Sequence, residues 1–222
     1  MVRIFIQARM SSSRFPGKVL APFLGKPLVA HVIERAQQAV AKDRIVLLTS
    51  RETSDDPLAH YAEDALGIPV YRGELENVFA RFQDGLKRYP CDWFVRICAD
   101  SPVIDGELIA HMIGLASENF DIVTNVAYRT FPPGQSVEIV RTAPFLSIDR
   151  LAQNADEIEH VTRPYYSETS PYRMLKVVSR NPALSATRMV VDSVEDLKSL
   201  EISIKSGDGN TLKFARLAEC QA

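Results

Sequence analysis

The chain reads as an α/β protein with a mostly parallel sheet covered by helices on both faces. Three observations predict this: strand-like and helix-like segments alternate through the first half, the strands are continuous apolar runs, and cationic or acidic residues cluster at strand ends. The 222 residues suit one domain that folds without staples.

The first apolar run is VRIFIQA. PLVAHVIERAQQAV follows, with Leu28, Val32, Ile33, Ala36 and Val40 on one helical face. RIVLLTS is a second buried strand, and TSDDPLAHYAEDAL a helix with capping residues and Pro57 near its start. IPVYRG is a short third strand. ENVFARFQDGLKRY is a helix with Val78, Phe79, Phe82 and Leu86 inward. DWFVRICAD is the fourth strand, DGELIAHMIGLASEN its helix and DIVTNV the fifth strand. Right-handed crossovers then give a three-layer α/β/α arrangement. From near Tyr128 the rhythm changes. YRTFPPGQSVEIV reads as a loop and an extended segment, and PFLSIDRLAQNA and DEIEHVTRPYYSET as two helices. MLKVVSR and RMVVD are expected late strands and VEDLKSLEISIKS a final helix, so residues of about 129–177 form an insertion before the last strands.

Composition narrows the function classes. A net charge of −2 provides no global field for nucleic acid or an anionic membrane, so an anion site must be built locally. No apolar run approaches the ~18 residues of a membrane span. Three cysteines, Cys91, Cys98 and Cys220, without metal-type spacing, indicate a reduced, cytoplasmic protein. Cys98 is expected in a buried strand and Cys220 in a loose tail.

The opening loop carries the chemistry. ARMSSSRFPGK follows the first strand of a parallel sheet, where ligands bind beyond the carboxyl ends. It lacks both the P-loop and the dinucleotide glycine patterns. It offers instead two guanidinium groups, an ammonium, three hydroxyls and the backbone N–H groups of a serine run, the donors a triphosphate requires. Asp100 and Asp192 each end an apolar run, VRICAD and RMVVD. Two carboxylates so placed can share a divalent cation, for which hard Mg²⁺ is suited; either can instead cap a following helix.

IQARMSSSRFPGKVL resembles the opening motif of the sugar-activating cytidylyltransferases, including those acting on acylneuraminate and ketodeoxyoctonate sugars, and is most similar to the spore-coat polysaccharide branch. YRGELENVFARF, VRICADSPVID, PPGQSVEIV, IEHVTRPYY and RMVVDSVEDL follow in the same order, so the resemblance covers nearly the whole chain. It implies a Rossmann-like fold of the nucleotide-diphospho-sugar transferase type and CMP transfer from CTP to a sugar-type acceptor for polysaccharide synthesis. By the same likeness, Ala8, Arg9, Ser11, Ser12, Ser13, Arg14 and Lys18 would hold the nucleotide, with Arg72 near cytosine and Ala99 where many relatives carry glycine. Arg14, Lys18, Asp100 and Asp192 would be catalytic, and Asp100 and Asp192 would hold Mg²⁺, with Mn²⁺ able to substitute. Gln135, Glu138, His160 and Arg163 would face the acceptor, and Ser136 stands where the spore-coat branch often has aspartate. A homodimer follows, the insertion reaching the partner. The alternatives are a metal-dependent glycosyltransferase, against which stands the single aspartate of CADSP, and a non-catalytic nucleotide-binding regulator.

Overall fold

A computed structural model of the chain describes residues 1–206 and 214–221. Its elements in chain order are β1 (Val2–Gln7), a two-residue hairpin of β2 (Pro22–Phe23) and β3 (Lys26–Pro27), α1 (Leu28–Ala36), β4 (Ile45–Ser50), α2 (Asp56–His60), β5 (Val70–Gly73), α3 (Val78–Arg88) and β6 (Trp93–Cys98). There follow α4 (Gly106–Gly114), β7 (Ile122–Thr124), β8 (Glu138–Arg141), α5 (Thr142–Leu146), α6 (Ala155–Glu159), β9 (Met174–Ser179), α7 (Val194–Lys205) and β10 (Ala218–Gln221).

The eight-stranded sheet runs β10-β9-β7-β8-β6-β1-β4-β5. Strands β6, β1, β4 and β5 are mutually parallel, as the apolar runs predict. Their registers pair Gln7 with Cys98 and Ser50 with Gly73, which brings the loops after these strands to one edge. Along β1, Ile4 and Ile6 enter the core layer with Val32 and Ile33 of α1. Phe5 faces the opposite layer, against Phe79 and Phe82 of α3 and Phe94. Alternation along one strand therefore fills both layers, the three-layer α/β/α arrangement. No helix among the described residues is long and apolar enough to cross a membrane.

Four sequence expectations are corrected. RMVVD is not a strand: residues 188–192 are irregular, with Val191 N–H donating to the Asp100 carbonyl (2.8 Å) and Met189 N–H to that of Pro133 (2.8 Å). Its apolar character comes from burial of Val191 against Phe23, Leu28 and Leu197, not from strand pairing. The segment 129–177 is not wholly an excursion from the sheet, because β8 inserts antiparallel between β6 and β7. Its two expected helices shorten to α5 and α6, each followed by a 3-10 turn, at Arg150–Ala152 and Arg163–Tyr166. Pro164 withholds an N–H donor from the second of these turns. Cys220 lies on β10, antiparallel to β9, rather than in a loose tail. Cys98 is on β6, half-buried.

Candidate active site

The loop after β1 is fixed at both ends. Met10 N–H donates to Asp55 Oδ1 (2.7 Å), and the Met10 carbonyl accepts from Ser12 N (2.9 Å) and Gly17 N (2.8 Å). Gly17 adopts φ +73°, which turns the chain into the 3-10 turn Lys18–Leu20. Asp55 is fully buried and also accepts from Thr49 Oγ1, Ser50 N and Ser50 Oγ. Burial raises its pKa, but these hydrogen bonds outweigh burial and hold the carboxyl below its usual range.

Lys18 stands at the centre. Its ammonium, on a side chain only 12% exposed, bonds to Asp100 Oδ2 (3.2 Å), Asp192 Oδ1 (3.2 Å) and the Val191 carbonyl (2.9 Å). The two carboxylates proposed from separate segments thus converge on one cation. Asp192 is also approached by Arg14 (3.2 Å) and Arg188 (2.7 Å). Burial pushes the Asp192 carboxyl up, and Lys18, Arg14 and Arg188 together pull it below the usual range. Neither aspartate caps a helix. Asp105 caps α4, and Ser193 caps α7 in a capping box with Asp196. Capping is therefore removed as their role.

Two cavities meet here. One, of about 390 Å³, is lined by Ala8, Arg9, Ser12, Ser13, Arg14 and Lys18 with Ala99. The other, of about 910 Å³, is lined by Ser136, Glu138, His160 and Arg163. Arg96, Cys98, Asp100, His160 and Asp192 belong to both, so the carboxylate pair sits at their junction. The Cys98 thiol is pushed up to about 11 by burial and stays protonated at neutral pH, which makes it a poor nucleophile.

The remaining sequence-predicted residues are placed as follows. Ser11 is exposed and does not line either cavity. Arg72 donates through Nε to the Ser50 carbonyl (2.8 Å) and through Nη2 to the Glu52 carbonyl (2.9 Å) and Asp56 (2.6 Å). Gln135 is fully buried, accepting from Asp105 N (2.8 Å) and donating to the Val103 carbonyl (2.9 Å). It supports the loop before α4 and is withdrawn from the acceptor cavity. Glu138 reaches the cavity floor but accepts from Arg96 (2.8 Å), Thr162 (2.8 Å) and Tyr166 (2.6 Å). His160 and Arg163 are exposed and pair with Asp156.

Sequence reasoning missed Arg81. It is 1% exposed, and none of its three guanidinium nitrogens has a hydrogen-bond partner among the described residues. Its signal was its position three residues after Val78, on the apolar stripe of α3. Asp55 was missed too, because one buried aspartate among capping residues has no distinctive spacing.

The sequence profile of a family described as Cytidylyltransferase matches residues 4–204. The spore coat polysaccharide biosynthesis protein SpsF of Bacillus subtilis is 31% identical over 209 residues, covering 90% of this chain and 85% of that protein. A 3-deoxy-manno-octulosonate cytidylyltransferase of Anaeromyxobacter dehalogenans is 31% identical over 161 residues, covering 72% of this chain and 65% of its own. Among solved structures, a cytidylyltransferase from Leptospira borgpetersenii superposes with a TM-score of 0.88 at 28% identity, covering 97% of this chain and 91% of the other.

Proposed function

The chain belongs to the cytidylyltransferase family, a family of nucleotidyltransferases, and we propose that it transfers CMP from CTP to a sugar acid, sugar phosphate or related acceptor, releasing pyrophosphate. The observation that carries this reading is the convergence of Asp100 and Asp192 on Lys18 where the two cavities meet. CTP occupies the smaller cavity with its triphosphate along Arg9, Ser12, Ser13, Arg14 and Lys18. The acceptor occupies the larger one, near His160 and Arg163. The acceptor oxygen forms a bond to the α-phosphorus while the bond from that phosphorus to pyrophosphate breaks. Arg14 and Lys18 neutralise the charge developing on the leaving pyrophosphate.

The donor types fit a hard divalent cation: two carboxylates already face one positive charge, and phosphate and water oxygens would complete a shell. Asp100 and Asp192 would hold Mg²⁺, which would neutralise the α-phosphate and lower the pKa of an acceptor hydroxyl. We assign the synthesis of surface polysaccharide as the setting, from the likeness to SpsF, and, as the family resemblance implies, a homodimer with the segment of about 129–177 reaching towards the partner. Family membership favours nucleotidyl transfer over the glycosyltransferase and regulator readings.

Pyrophosphate release from CTP, Mg²⁺ and an acceptor panel tests the proposal. Asp100→Asn and Asp192→Asn are expected to abolish release, with the double variant little worse than the worse single, because both act through one ion. Near-normal turnover in either variant refutes that residue's role.

A further inference from the structure

Among the described residues, four arginines line the larger, acceptor cavity, and three of them are paired. Arg96 meets Glu138 (2.8 Å), Arg163 meets Asp156 (2.6 Å) and Arg188 meets Asp192 (2.7 Å). The fourth is Arg129, whose guanidinium has no hydrogen bond or ion pair among the described residues. Its backbone adopts φ +51°, a left-handed conformation that a residue with a long side chain rarely takes. Its neighbours hold it there. Tyr128 Oη accepts from the Lys176 ammonium (3.1 Å), and Thr130 Oγ1 accepts from Ser179 N–H (2.9 Å), so both flanks are tied to β9. Strain of this kind persists where the surroundings impose it, and it clusters at ligand sites.

Arg129 also lines a chamber of about 150 Å³, which shares Val126, Arg129, Pro133 and Ser136 with the acceptor cavity. The chamber has no lining residue in common with the nucleotide cavity, so it lies on the side of the acceptor cavity away from Asp100 and Asp192. No carboxylate lines it among the described residues. Asn125 is committed to its walls, donating to the Gln135 carbonyl (2.7 Å) and accepting from Val137 N–H (2.8 Å). The Ser185 hydroxyl donates to the Pro182 carbonyl (2.7 Å). Ser136 stands between the pinned residues Gln135 and Val137, and its hydroxyl has no partner among the described residues. Val126, Phe131, Pro132 and Pro133 complete an apolar wall. The chamber therefore offers one uncompensated guanidinium and one free hydroxyl beside apolar surface. A neutral sugar hydroxyl leaves that charge unanswered. An anion answers it, and a guanidinium fork matches two oxygens of a carboxylate or a phosphate.

We propose that this side chamber takes an acidic group, a carboxylate or a phosphate, at the end of the acceptor remote from its attacking oxygen, and that Arg129 with Ser136 selects for it. This rests on the larger cavity being the acceptor site of a CTP-dependent transfer.

The test uses three probes that share an anomeric hydroxyl and differ at carbon 6: glucose, glucuronate and glucose 6-phosphate. The α,β-methylene analogue of CTP, with Mg²⁺, fills the nucleotide cavity first, which keeps the phosphate probe out of it. Calorimetry and melting temperatures are measured for the wild type, Arg129→Gln, Arg129→Gly and Ser136→Asp. Glycine adopts the left-handed backbone freely, so Arg129→Gly removes the guanidinium without disturbing the loop. Ser136→Asp sets a carboxylate beside Arg129. The wild type should bind one acidic probe about 10- to 100-fold more tightly than glucose, and the one it favours distinguishes carboxylate from phosphate. All three variants should lose that margin, with affinities for glucose and for the CTP analogue unchanged and melting temperatures no lower. Acidic probes that bind no more tightly than glucose overturn the proposal. A margin retained in both Arg129 variants places the acid elsewhere and also overturns it. Loss of every ligand together with lower melting temperatures in both Arg129 variants makes Arg129 structural, with the same consequence. A wild type that does not bind the CTP analogue refutes the CTP-dependent reading itself, and the chamber's role falls with it.

Discussion

Replacing Lys18 by methionine removes the one cation that, among the described residues, Asp100 and Asp192 share. Each ion pair is 3.2 Å long, and the ammonium also donates to the Val191 carbonyl at 2.9 Å. At that separation the Coulomb attraction is roughly 5 kcal/mol per pair with an effective dielectric of about 20. Desolvation of the ammonium offsets most of it. Both carboxylates keep nearly a quarter of their exposure (24% and 22%), and Asp192 retains Arg14 and Arg188. The net loss is then about 2–3 kcal/mol in the ligand-free protein. For a domain of this size that lowers the melting temperature by about 5–10 °C. The same substitution leaves two carboxylates facing each other without their ammonium, a stronger site for a divalent cation. Millimolar Mg²⁺ should therefore raise the melting temperature of Lys18→Met more than that of the wild type, while pyrophosphate release from CTP stays abolished. Thermal melts with and without Mg²⁺, beside a pyrophosphate-release assay, measure both. A variant with an unchanged melting temperature, no added response to Mg²⁺ and near-normal turnover would refute the reasoning.

Three further outcomes are expected. Gly134 has φ +100°, and a Cβ there would stand 2.4 Å from the Met189 carbonyl oxygen, so Gly134→Ala should displace the segment carrying Asp192. It should cost at least about 1–3 kcal/mol, read by denaturant melts, together with turnover. Asp55→Asn should leave buried donors of Thr49 and Ser50 poorly matched and release Met10, costing about 2–3 kcal/mol and weakening triphosphate binding by calorimetry. The Asp196 pKa is lowered to about 2: burial raises it, but hydrogen bonds from Arg188, Asp192 N and Ser193 N outweigh that. A depressed carboxyl stabilises the fold above its unfolded value near 3.9 and loses that contribution as pH falls toward 2. Melting temperatures of Asp196→Asn should therefore depend less on pH between about 4 and 2 than those of the wild type.

The sequence by itself determined the fold class, because a strand buried on both faces must be apolar throughout and its covering helix must repeat at 3.6 residues. It also pointed to the sheet edge that carries the candidate site. Polarity changes abruptly at Gln7 and Cys98, and a carboxylate such as Asp100 just past a buried strand has only the sheet edge to occupy. RMVVD placed Asp192 correctly at the end of an apolar run while misleading about its backbone, since burial of Val191 leaves the same apolar trace whether or not a ladder pairs it. Only the tertiary structure decided which partners each polar group took. Capping fell to Asp105 and Ser193, leaving Asp100 and Asp192 free to meet at Lys18. The amide of Gln135 turned inward, and Glu138 acquired Arg96, Thr162 and Tyr166 through the insertion of β8 between β6 and β7. Arg81 was buried because Gly73, eight positions earlier on another element, leaves space for its stem. Local periodicity encodes which face a residue occupies. Hydrogen-bond partners depend on strand register and the shape of distant segments, which no local window contains.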